Sequence, residues 1–160
     1  MERKDKPKSI DSMKEDRRYN ELIAGMFQRG QSNEQRACRA FTGAENIAEA
    51  CALLLSDGGM RYCVRHDLPS REELKALRAY GFDRHGVHID QGDIRVENPG
   101  RMAAIGDTHA EVVLNDNAIH SILLLHGATV SVRAEGVSAA LVRSERGVET
   151  IAAGTDSMGV

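Results

Sequence analysis

Ile94, Val112, Val130 and Val148 follow one another at a constant interval of eighteen residues. Two positions on, the same interval gives Val96, Leu114, Val132 and Thr150. Ile105, Leu123 and Leu141 make a third column, and Gly100, Ala118, Gly136 and Gly154 a fourth of small residues only. A chain winding into a β-solenoid carries this kind of record. Its coils stack about 4.8 Å apart, so each residue lies over its counterpart one turn on and like packs on like. A single coil cannot bury its own apolar face, and several must stack. The spacing predicts coils over 91–108, 109–126 and 127–144, with a last one from 145 to the end. The predicted core is Ile94, Val96, Ile105, Val112, Leu114, Leu123, Val130, Val132, Leu141 and Val148.

The corners fit that reading. Asn98-Pro99-Gly100, Asn115-Asp116-Asn117 and Ala134-Glu135-Gly136 suit tight turns or left-handed backbone. The handedness stays open. Three hexapeptides make an eighteen-residue turn, but two faces in three put Gly or Ala where a left-handed hexapeptide helix wants an aliphatic, so a flattened or right-handed coil is equally compatible. The competing architecture is an antiparallel sheet sandwich.

Composition divides the chain. All six aromatic residues (Tyr19, Phe27, Phe41, Tyr62, Tyr80 and Phe82) and all three cysteines precede residue 83, and no lysine follows it. A narrow stacked interior has little room for rings. Residues 1–20 are dense in charge of both signs and read as a mobile tail. Residues 21–86 read as short helices. Thr42 and Glu45 have capping-box spacing, as do Ser70 and Glu73. Ile47, Cys51, Leu54 and Leu55 share a helical face. Ser56-Asp57-Gly58-Gly59 reads as that helix's end, Met60, Cys63 and Val64 as a second short helix, and Gly81 as a left-handed cap. The predicted class is therefore α+β: short N-terminal helices capping a single-stranded β-solenoid over 87–160.

The bulk numbers narrow the function. In 160 residues the net charge is −3, with no basic face for nucleic acid. No apolar run nears the roughly 20 residues of a membrane span. The start, MERKDKPKSIDSMKEDRR, has no apolar stretch behind its charges, so no secretory leader is expected. Cys38, Cys51 and Cys63 lack metal-site spacing and read as reduced thiols of a cytoplasmic protein.

Chemistry is sparse. There is no P-loop, dinucleotide fingerprint, nucleophile elbow or zinc-protease helix. His85, His88, His109, His120 and His126 invite a metal reading, but none stacks on another at the coil interval. In the enzyme alternative, a small oligomeric left-handed β-helix acyltransferase or carbonic anhydrase, His120 or His126 would sit between subunits as the catalytic base. Otherwise no catalytic residue, cofactor or metal is expected. The last coil runs out with no helix to cover it, leaving an apolar rung with unpaired backbone. Val148, Ile151, Met158 and Val160 are then the interaction edge, for another copy or another protein.

The stretches FTGAENIAEACALLL, GVHIDQGDIRVENPG and HGATVSVRAEG resemble uncharacterised short β-solenoid proteins of Bacteroidetes phage-like and mobile elements. Bactofilins, which polymerise end to end, are a second comparison and lack the helical leader. The resemblance supplies no site residue. It implies a non-enzymatic structural or adaptor protein that self-associates, within a phage-like particle or similar assembly. A regulatory module whose helical part holds a partner is a further reading.

Overall fold

Tyr19, Leu22, Ile23 and Met26 recur at helical spacing, and the helix they belong to, α1 (Ile10–Ser32), lays Tyr19 and Ile23 into the protein core. The computed structural model describes residues 10–32 and 41–153, with side chains over 17–29 and 41–153. Residues 10–20, read as tail, are thus helical, and Tyr19 is only 5% exposed. Three short helices follow: α2 (Ile47–Leu54), α3 (Asp57–His66) and α4 (Arg71–Leu77), then single 3-10 turns at Arg78–Tyr80 and Phe82–His85. Ser70 and Glu73 form the expected capping box. At α2 the box is instead Asn46 with Glu49, and the Glu45 carboxylate turns back to the Thr42 and Gly43 N–H groups. α2 ends just before Ser56, as expected, and the Ser56 hydroxyl donates to Leu53 O at 2.6 Å. The same hydroxyl also caps α3, and Gly58 and Gly59 lie in that helix's first turn.

Eight strands follow among the described residues: β1 (Val87–Ile89), β2 (Gly92–Glu97), β3 (Arg101–Ile105), β4 (Thr108–Leu114), β5 (Ile119–Leu125), β6 (Thr129–Ala134), β7 (Ala139–Ser144) and β8 (Gly147–Ala152). They form two sheets, ordered β1-β3-β5-β7-β8 and β2-β4-β6. All pairs are parallel except β7 with β8. The α+β class stands, but the single-stranded eighteen-residue solenoid does not. Val87 faces Ala103 and Gly92 faces Thr108, sixteen residues on. Arg101 faces Ser121, His109 faces Thr129 and Ile119 faces Ala139, twenty residues on. Eighteen is the mean of two real offsets and the value of neither. Both offsets are even, so along the parallel strands side chains predicted to share a face still do, displaced by two residues: Val112 lies beside Val132, not Val130.

The molecule has three layers. The helices cover one face of the five-stranded sheet, where Tyr19, Met60, Leu74, Leu77 and Phe82 pack on Val87, Ile89, Ile105, Leu123 and Leu125. The other face of that sheet packs Met102, Ala104, Ile122, Leu124 and Val142 on Ala110, Val112, Leu114, Val130 and Val132 of the smaller sheet. The larger sheet is thus apolar on both faces, which is why β3 and β5 read as near-continuous apolar runs. The predicted core divides accordingly. Val112, Leu114, Val130 and Val132 lie between the sheets, whereas Ile105 and Leu123 lie under the helices. Leu123 sits between Ala103 and Arg143 rather than between Ile105 and Leu141. Ile94, Val96 and Leu141 are only partly buried, and Val148 is 60% exposed.

Val148 fails as a core residue because of the last turn. Only Glu145 and Arg146 separate β7 from β8, and Gly147 holds φ +119°. Two residues suffice for a hairpin, although links of the same length carry the chain to the other sheet at Asp90-Gln91 and Gly106-Asp107, so the turn's conformation and not its length sets the outcome. Here the chain doubles back. β8 lies beside β7, touches β6, and delivers Ile151, 4% exposed, into the space between the sheets.

Candidate functional site

His120 and His126 sit near opposite ends of β5, about 20 Å apart at strand rise. His120 is 1% exposed. Its Nδ1 accepts the Gly100 N–H at 2.8 Å, and its Nε2 lies 2.7 Å from Asp116 Oδ1. Nδ1 as acceptor leaves Nε2 to carry the proton and donate it to the carboxylate. Both ring nitrogens are thereby spent on joining two corners. The hydrogen bond from His120 holds the Asp116 carboxyl below its ordinary value. His126 takes φ +56°, and its Nε2 donates to the Pro69 carbonyl at 2.9 Å, tying the end of β5 to the loop before α4. His88 bonds Gln91, and His109 bonds Thr129. Among the described residues no three His, Cys, Asp or Glu side chains gather as a metal site. Cys51 is 1% exposed and burial pushes its thiol up to about 12, so it stays protonated at neutral pH. Cys63 is also buried, and Cys38 lies outside the described residues.

The helical layer holds a cavity of about 200 Å³. Ile23, Met26, Phe41, Leu54, Leu68 and Leu77 are among its lining residues, with Arg29 and Glu73 as charged members. Arg29 Nη2 reaches Glu73 Oε2 at 2.8 Å. Burial raises the Glu73 pKa, but the Arg29 and Ser70 hydrogen bonds outweigh it, and the carboxyl ends below its ordinary value. The pair closes its own charges on each other, and the rest of the lining is mostly hydrocarbon.

The remaining candidate is the edge of the two-sheet unit, and its position differs from the sequence expectation. At the β8 end the hairpin folds over the core, Ile151 is buried, and Val130 and Val132 are each 2% exposed. Val148 remains exposed on the hairpin, whereas Met158 and Val160 lie outside the described residues. At the other end β2 pairs with β4 alone among the described residues. There Ile94 and Val96 face the inter-sheet core yet stay partly exposed. The signal in the sequence was the spacing itself: β2 and its predecessor β1 come first, so nothing earlier in the strand series stacks on them.

Comparison of the chain with protein-family models, with curated proteins and with solved structures gives no match. Among the described residues no helix is long and apolar enough to cross a membrane.

Proposed function

We propose that this chain is a non-enzymatic structural or adaptor protein that self-associates through the β2 end of its two-sheet unit, as a building part of a larger assembly such as a phage-like particle. One observation carries the reading. β2 and β6 each pair with β4 alone among the described residues, but the β7–β8 hairpin lies against β6, whose Val130 and Val132 are buried, whereas the six-residue β2, Gly92–Glu97, keeps Ile94 and Val96 only half-buried at its unpaired edge. Unpaired N–H and C=O groups beside apolar side chains are a template for another strand. The histidines supply no competing chemistry, because the His120 ring is fully bonded within the fold and His126 Nε2 is held by a backbone carbonyl. The test is sedimentation of the full chain over a wide concentration range. The average mass is expected to rise with concentration. Val148→Lys, on the far hairpin, should leave that rise unchanged. A constant monomer mass throughout overturns the reading.

A further inference from the structure

We propose that β2 pairs antiparallel with β2 of a second copy, about a two-fold axis at Ile94, so that Asp93 of each chain faces Arg95 of the other. The pairing rests on the self-association proposed above and specifies its geometry.

The backbone directions come first. The Gly92 N–H bonds Asp107 O, and the Asn98 N–H bonds Val113 O, both toward β4. Along a strand these groups alternate sides. Asp93, Arg95 and Glu97 therefore turn their N–H and C=O groups to the free edge. In an antiparallel pair centred on Ile94, Asp93 and Arg95 of opposite chains become the hydrogen-bonded pairs, and the two Ile94 residues become the close, non-hydrogen-bonded pair.

The side chains then choose the register. Opposite residues of an antiparallel pair share a face, so inward-facing residues meet inward-facing ones and the charged outward residues meet charged ones. Centring on Ile94 sets Asp93 against Arg95 twice. Centring one face-preserving step later, on Arg95, sets Arg95 against Arg95 and Asp93 against Glu97, all repulsive. Arg95 is exposed and lies 3.7 Å from Glu97 of its own strand, so it is free of any buried commitment that would have to be broken. The pairing also continues the core: Ile94, half-buried now, meets Ile94 of the second copy, Val96 lies beside its Gly92, and the apolar layer between the sheets is extended.

The symmetry follows from the other end. The hairpin over the β6 end makes that end unlike the β2 end, so the β2 edge finds its equal only in another β2 edge, and such an isologous contact closes at two copies. Six residues a side is a small contact beside the roughly 1,200–2,000 Å² of stable interfaces. The dimer is therefore concentration-dependent.

The test uses the full chain by sedimentation equilibrium. By symmetry, Asp93→Arg turns both ion pairs into repulsions, and so does Arg95→Asp. Each single variant is expected to weaken the dimer by about tenfold or more. The combined Asp93→Arg, Arg95→Asp variant rebuilds both pairs with the charges exchanged and should return to near the parent value. Both side chains are exposed, so neither change threatens the fold. If the parent self-associates but the single variants match it, or the double variant fails to recover, the antiparallel register is overturned and self-association stands. If the parent is monomeric throughout, both fall.

Discussion

Glu45 shows how a single side chain holds the helical layer together. It is 9% exposed and accepts from the Thr42 N–H, the Thr42 hydroxyl at 2.8 Å and the Gly43 N–H at 3.0 Å. Its own carbonyl takes the Tyr19 hydroxyl at 2.9 Å, which links α1 to the start of α2. Burial raises the carboxyl's pKa, but the donors of Thr42 and Gly43 outweigh it and leave it below its ordinary value of 4.5. A carboxyl depressed in the folded state contributes stability that is full above its unfolded value and is lost as pH falls through the folded one. Glu45→Gln keeps the shape and removes the charge. It should cost about 1–2 kcal/mol at neutral pH. That deficit should shrink as pH drops below 4.5. Urea denaturation of both proteins from pH 7 to acid checks it. A deficit that stays constant with pH would assign the loss to packing, not to the carboxylate.

At the scale of elements, what could be read from the chain was face, and what could not was register. Ser70 with Glu73 announced α4, and Gly81 announced the left-handed residue after it, with φ +78°, because those signals are local. Thr42 with Glu45 carried the same spacing but served a turn before α2, since Asn46 and Glu49 offered a second box four residues on. Even offsets of sixteen and twenty preserve which side chains face inward, so Val112, Leu114, Val130 and Val132 were identifiable as core. The offsets themselves depend on how many residues each corner absorbs, and no periodicity reports that. Nor did the spacing separate the two faces of the larger sheet. Leu123 illustrates the difference: it is fully buried, as expected, but against helices rather than inside a coil. Leu123→Ala should therefore cost roughly 2–5 kcal/mol. The helices should loosen first, with faster amide exchange in α3 and α4 than in β4 and β6. Equal acceleration in both sheets would place Leu123 in the inter-sheet core instead.

The whole molecule inverts the relation first expected between its halves. Helices meant as a lid on the first turn are instead a full layer, on which β1, β3 and β5 bury one face. Val87, Ile89, Ala103, Ile105, Leu123 and Leu125 face that layer, each no more than 5% exposed. Polar ties cross the same boundary: Arg101 Nη1 donates to Leu55 O at 2.9 Å and meets Asp57 at 3.0 Å, and His126 reaches Pro69 O. A repeat array that buried its own core would survive the loss of a cap, since its stability is a sum over neighbouring repeats. A two-sheet unit stripped of its third layer would expose a contiguous apolar face, which a soluble monomer rarely carries. Residues 87–160 expressed alone are therefore expected to aggregate or to unfold without a cooperative transition, while the full chain unfolds in one step. Circular dichroism on heating, with sedimentation at low concentration, separates the cases. A monomeric fragment with a sharp transition would show that the sheets suffice by themselves, and that the helices cover a face which does not need them.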